Sequence, residues 1–277
     1  MPEGDVLLRT ARRLHHALVD EPLVVADLRW SGLSELDLTG RRTTEVISRG
    51  KHLLHRLEGG ATIHSHLRME GHWWVERRDQ VRPGVLRSPD LRAALATTEW
   101  AALGWQLGML DVVDTAQEST VVGHLGPDLL GPDWQESVAV DNLHRSAQSL
   151  GAALLDQRNL AGLGTIYASE SLFVQRLSPW QPASAVSEDA LQLLVRRAQR
   201  LLKHGAEVGR PSITGDPREP TYVHARSGRP CRRCGGPVRV SAIGTAPRER
   251  PMFYCPQCQG GLGPDDDGRP QRPLGAR

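Results

Sequence analysis

Apolar residues at Leu7, Ala11, Leu14 and Leu18 recur at spacings of four and three, one face of a helix over residues 6–19. Arg9, Arg12 and Arg13 fall on the other faces and read as solvated, and Asp5 stands where an N-cap is expected. After Pro22 the period changes. Residues 23–28, 44–49, 52–57, 62–67, 73–76, 91–97 and 109–113 are short runs of branched and aromatic side chains separated by Gly, Pro and Asp. Strands of that length and spacing predict a β-sandwich or barrel with the leading helix packed on it.

The texture changes again at residues 125–133, where two Gly-Pro pairs within a short span read as a linker and the best domain boundary. Beyond it, Leu143, Ala147, Leu150 and Leu154 predict one amphipathic helix. Residues 166–173 predict another. A third runs over about 188–203, with Leu191, Leu194, Val195, Ala198, Leu201 and Leu202 facing inward.

Composition narrows the class only a little. The 277 residues suffice for two domains, and the net charge of +2 does not by itself announce nucleic acid. Lys51 and Lys203 are the only lysines, so arginine carries the basic character. No apolar run reaches the length of a membrane span, and the charged start lacks the apolar core of a signal peptide. A soluble cytoplasmic protein is the expectation.

The start, Met1-Pro2-Glu3-Gly4-Asp5, carries candidate chemistry. Removal of the initiator would leave Pro2 with a free secondary amine, whose pKa of about 7.7–8.0 keeps a fraction neutral and nucleophilic. Attack on an aldehyde-like carbon would give an iminium directly, with the Glu3 carboxylate beside it to move protons. The alternative is an ordinary chain start. Lys51 follows Gly50 at a strand end and reads either as a solvated turn lysine or as a cation aimed at a phosphate. His64 and His66 share one strand face and could chelate a metal, although no third ligand of suitable spacing is evident. Met69, before Gly71, is either minor packing or a wedge for a gap in a base stack.

Between the predicted helices, Gln157-Arg158-Asn159-Leu160-Ala161-Gly162-Leu163-Gly164-Thr165 permits a tight double turn. Such a turn can aim backbone N–H groups and a helix N-terminus at a phosphate, or it can simply close a helical hairpin. The four cysteines fall in two pairs, Cys231/Cys234 and Cys255/Cys258, about twenty residues apart. Two C-x-x-C knuckles at this spacing suit one structural Zn²⁺ with four thiolates, in preference to disulfides or a redox pair. Arg226, Arg229, Arg232, Arg233, Arg239, Arg248 and Arg250 cluster around them, as in a nucleic-acid arm.

Taken together, these segments resemble the Fpg/Nei family of base-excision repair enzymes, from Pro2 to Cys258 and in the family's order. The opening Pro-Glu-Gly-Asp is closer to the endonuclease VIII branch than to the formamidopyrimidine branch. The resemblance implies an α+β multidomain fold: an N-terminal catalytic β-sandwich with a leading helix over 1–124, a linker over 125–136, a helix–two-turn–helix domain over 137–222, and a β-hairpin zinc finger over 223–259. A disordered tail is expected over 260–277, where apolar content is low.

The resemblance also implies a bifunctional DNA glycosylase and AP lyase that removes oxidised pyrimidines from damaged double-stranded DNA. In that scheme Pro2 attacks C1′, Glu3 manages protons, and β,δ-elimination cuts the strand. Lys51 and Arg250 hold flanking phosphates and Met69 fills the gap left by the flipped base. Gln157, Gly162, Gly164 and Thr165 form the DNA-binding turn. Thr165 departs from the family's usual asparagine, which predicts weaker DNA affinity or altered lesion choice. The alternatives are the same chemistry on oxidised purines, or a non-catalytic reader of damaged DNA. A monomer without a small-molecule cofactor is expected.

Overall fold

The computed structural model describes residues 2–273. The chain divides into two compact units, residues 1–124 and 125–277. In the first, helix α1 (Gly4–Leu18) precedes eight strands: β1 (Val25–Leu28), β2 (Thr43–Arg49), β3 (His52–Leu57), β4 (Ala61–His66), β5 (His72–Arg77), β6 (Leu91–Ala96), β7 (Trp100–Trp105) and β8 (Met109–Asp114). They form two antiparallel four-stranded sheets, ordered β1-β6-β7-β5 and β2-β3-β4-β8. A short helix α2 (Ser119–Val122) follows. Leu7, Leu14 and Leu18 of α1 join Leu53, Ile63, Trp73 and Leu95 in one core. Each such side chain contributes about 1.5–3 kcal/mol on burial.

The expected β-sandwich is present. Asp5 is not the N-cap: the helix begins at Gly4, the extended Glu3 caps it, and Glu3 O accepts Val6 N and Leu7 N at 3.0 and 3.2 Å. Asp5 lies inside the first turn and is buried. Strand β7 has no counterpart in the hydrophobic pattern, because Ala101, Ala102 and Gly104 are poor strand formers. Packing explains them: a Cβ at Gly104 would stand 2.8 Å from Leu107 Cδ1 and 3.2 Å from the Trp73 ring.

The second unit holds α3 (Glu136–His144), α4 (Leu150–Leu155), α5 (Thr165–Gln175), α6 (Glu188–Val208) and the hairpin β9 (Arg239–Ile243)/β10 (Arg250–Tyr254). The helix expected over Leu143–Leu154 is two helices. Ser149 is extended and bridges to Pro182, and Leu150 N donates to Gln181 O at 2.8 Å, which breaks the run. Nor is the Gly-Pro segment a free tether. Ala161 N donates to Pro127 O at 2.8 Å, Leu129 N donates to Ala161 O at 3.2 Å, and Leu129 is fully buried.

The segment after Gln259 is not disordered over its described part, to Pro273. Asp266 pairs with Arg239, whose Nε donates to it at 2.5 Å, and Tyr254 Oη donates to Asp266 Oδ2 at 2.6 Å. Gln271 accepts from Val240 N at 2.9 Å and donates to Val240 O at 2.8 Å. Polar anchoring to the hairpin orders a segment whose apolar content is too low for burial to do so. Residues 274–277 of the expected tail lie outside the described residues.

Candidate functional site

The direction of α1 decides where the chain start lies. Val19 bridges to Thr43 and His15 Nδ1 accepts Val46 N at 3.2 Å, so the helix runs antiparallel to β2. Its N-terminus therefore points along β2 towards Arg49, the end at which β2 turns into β3. Gly50, at φ +58°, and Lys51 make that turn. His52 pairs with both Arg49 and His66, so the loop leaving β4 emerges at the same sheet edge. That loop carries Arg68 at φ +52° and Met69, which is 59% exposed. The start of α1, the Lys51 turn and the loop carrying Met69, far apart in sequence, thus lie towards the same end of the β2-β3-β4 strands. Glu3 is 1% exposed, so its carboxyl is held within the fold.

Behind Lys51 lies a cluster of imidazoles. His52 stacks on His64 with ring centroids 5.0 Å apart and meets His66 edge-on at 4.9 Å. His52 Nδ1 and His64 Nε2 share a 2.8 Å hydrogen bond, and His66 Nδ1 accepts Arg68 N at 2.9 Å. Burial pushes the His52 pKa down to about 3, helped by the neighbouring imidazoles and Lys51. His64 Nε2 and His66 Nδ1 are committed to these bonds, while His64 Nδ1 is buried without a partner. Among the described residues only the four cysteines form a cluster able to hold an ion, so the His64/His66 metal reading is not supported.

In the second unit the turn before α5 is held by one side chain. Gln157 Nε2 donates to Leu155 O and Leu163 O, both at 2.9 Å, and its Oε1 accepts Gly162 N at 3.0 Å. This amide shapes the turn from within. Gly162 sits at φ +97°, which explains that glycine, while Gly164 is the extended N-cap of α5. Thr165 opens the helix, 3% exposed, and its Oγ1 has no hydrogen-bond partner.

Sequence reasoning saw residues 166–173 only as helix and so missed what they hold. Ser169 Oγ accepts Phe253 N at 3.2 Å, which ties α5 to the hairpin. Glu170, fully buried, accepts Tyr222 N, Val223 N and His224 N, each at 2.8 Å. An acid in mid-helix, three residues from both Tyr167 and Phe173, was the available signal. The loop it holds walls a cavity of about 360 Å³ lined by Ile166, Arg218, Thr221, His224, Arg226 and Arg229. Burial lowers the His224 pKa to about 4, so the ring there is neutral at pH 7.

The hairpin presents Arg250, exposed, at the first pair of β10, opposite Ile243. At its base the four cysteines are free thiols whose sulfurs lie within 4.8 Å of one another, with Cys231–Cys258 at 3.9 Å and Cys234–Cys255 at 3.4 Å. Arg233 N points at Cys231 Sγ at 3.4 Å, as at a thiolate in a metal knuckle.

No helix among the described residues is long and apolar enough to cross a membrane. Residues 1–106 match the formamidopyrimidine-DNA glycosylase N-terminal domain, and residues 125–216 match the formamidopyrimidine-DNA glycosylase H2TH domain. A probable endonuclease 8 2 of Streptomyces coelicolor is 45% identical over 97% of this chain and 98% of its own. The DNA-(apurinic or apyrimidinic site) lyase Nei2 of Mycolicibacterium smegmatis is 40% identical over 94% and 99%. The MutM (Fpg) protein of Thermus thermophilus superposes with a TM-score of 0.76 at 31% identity, over 94% of this chain and 100% of that one. A Lactococcus lactis Fpg, crystallised with DNA containing an AP site, shares the fold at a TM-score of 0.77 and 23% identity, over 93% and 99%. In sequence and in fold, the chain belongs to the Fpg/Nei family.

Proposed function

We propose that this protein is a bifunctional DNA glycosylase and AP lyase of base excision repair, acting on oxidised pyrimidines in duplex DNA. The observation that supports the reading is the antiparallel run of α1 on β2, which points the chain start towards the end of the sheet where Lys51 and Met69 lie. With the initiator removed, the Pro2 nitrogen attacks C1′ of the damaged nucleotide. The base leaves with the bonding pair; the proline nitrogen gives up its proton, and its lone pair then closes an iminium to C1′ as the C1′–O4′ bond breaks and O4′ takes a proton. The iminium acidifies C2′, so loss of a C2′ proton expels the 3′ phosphate. A second elimination expels the 5′ phosphate, and hydrolysis frees the proline. Glu3, buried beside Pro2, is the proton carrier that opens the sugar ring.

Lys51 and Arg250 hold phosphates flanking the lesion, and exposed Met69 occupies the space the flipped base vacates. Gly162, Gly164 and the start of α5 seat a further phosphate on backbone N–H groups, in a turn shaped by Gln157. The cysteines fit Zn²⁺: bonds of about 2.3 Å make tetrahedron edges of about 3.8 Å, close to the sulfur separations here, and four thiolates leave no open position. This zinc holds the hairpin and takes no part in the reaction. The enzyme acts as a monomer in the cytoplasm.

Borohydride trapping on an abasic-site duplex tests the proposal. The unaltered protein forms a covalent adduct and Pro2→Gly forms none. Binding without any adduct would identify a non-catalytic reader. The endonuclease 8 names of the relatives at 40–45% identity favour pyrimidines over purines. Incision of thymine glycol and 5-hydroxyuracil duplexes ahead of 8-oxoguanine is the expected order.

A further inference from the structure

The C-terminal segment is fastened to the hairpin by a buried ion pair. Arg239 and Asp266 form an ion pair with side chains 4% and 1% exposed. Arg239 also donates to Arg269 O at 2.9 Å. Arg239 and Tyr254 are register partners across the hairpin, and both reach Asp266, so one carboxylate grips both strands. Its neighbours satisfy it further: Gly268 N donates to Asp266 Oδ1 at 3.1 Å, and Tyr254 Oη accepts Gly263 N at 2.8 Å. These donors, Arg239 first, hold the Asp266 carboxyl down to about 2. On β9, Gln271 satisfies both the N–H and the C=O of Val240, as a third strand would. Gly263 is where the segment passes Trp180, and a Cβ there would stand 2.7 Å from the indole.

A two-stranded hairpin is marginal alone, and the cysteines brace only its base. The contacts above grip the first two pairs above that base, Arg239/Tyr254 and Val240/Phe253, and so fix the direction in which the strands leave it towards Arg250, beside the loop of residues 244–249. We propose that residues 260–273 are a strap that positions the hairpin for DNA, with Asp266 acting through Arg239 and Tyr254 to present Arg250. The inference rests on the proposed function, in which Arg250 holds a phosphate.

The test is a double-mutant cycle read as affinity for a duplex carrying a tetrahydrofuran abasic analogue. Bound zinc per chain and the trapping rate at saturating abasic DNA are measured alongside. Asp266→Asn weakens binding about tenfold, the scale of one charge-assisted phosphate contact. In an Arg250→Ala background the same change costs less than about twofold, because the positioned group is already gone. Zinc content and saturated trapping rate stay near those of the unaltered protein. A tenfold loss in both backgrounds, or none in either, overturns the proposal. Should Asp266→Asn lose its zinc, Gln271→Ala, which buries no charge, is taken through the same cycle under the same criteria. Failure of the unaltered protein to bind the duplex would refute the proposed function before any variant is read.

Discussion

Glu170→Gln replaces a buried carboxylate that accepts three backbone N–H groups of one loop. In the native protein Oε1 takes Val223 N and His224 N while Oε2 takes Tyr222 N. A glutamine can keep an oxygen at one of these places only. The other receives an NH₂, so at least one backbone N–H faces another donor. Burial pushes the Glu170 carboxyl above the usual carboxylate range and the three N–H groups pull it back, so charge and donors depend on each other here. A buried donor left unpaired costs about 1–3 kcal/mol, and two bonds to a neutral oxygen are each weaker by about 1 kcal/mol than bonds to a charged one. The sum is about 3–5 kcal/mol, which is at least about 100-fold in a local opening equilibrium. Amide hydrogen exchange reads it directly: Tyr222, Val223 and His224 should exchange at least about 100-fold faster, while the amides of β2 to β4 are unmoved. Exchange accelerated less than threefold at all three amides would refute the account of Glu170 as the anchor.

Stability should fall as pH drops below about 6.5. Burial holds the His55 pKa down to about 3, so the unfolded chain takes up a proton that the folded one refuses. At pH 5 that single group costs about 2 kcal/mol, which urea midpoints measured at pH 7 and pH 5 should reveal as a loss of that order or more. Thr165→Asn should tighten binding of abasic duplex by about threefold to tenfold, since an amide NH₂ adds a donor where the Thr165 hydroxyl is buried without a partner; unchanged affinity in an equilibrium titration would count against it. Stripping the metal with a chelator, or Cys258→Ser, should weaken duplex binding and lower the unfolding temperature of the second unit while strands β2 to β4 keep their exchange protection.

Much of the first unit was legible because its signals are local. The 4-3 spacing of Leu7 to Leu18 reports a helix directly, and β2 to β4 lie within a residue of their hydrophobic runs. The cysteine pairs were legible for the same reason, since ligand spacing is itself the signal. What was lost depends on partners distant in sequence. Ala102 and Gly104 look unlike strand residues until Trp73 is set against them. The break at Ser149 is imposed by Gln181 and Pro182. The segment after Gln259 looks unable to fold because its anchors are polar and their partners lie on β9 and β10. Of the candidate site, residue identities were readable from the resemblance, but that Lys51 and Met69 leave the sheet at one end, towards which α1 starts, comes only from strand register and helix direction. Gln157 was read as a contact for DNA, whereas its amide is spent inside the turn.

Helix α5 has a wider consequence. Its first residue opens beside the turn, Ser169 grips the hairpin, and Glu170 grips the loop over the cavity. Three surfaces are thereby indexed to a single rod of 11 residues. Their mutual spacing is settled at biosynthesis, before any encounter, and little ordering entropy remains to be spent on docking. A segment of this kind works as a fixed gauge: sound and damaged helices meet the same ruler, and discrimination falls to how readily each bends to fit it.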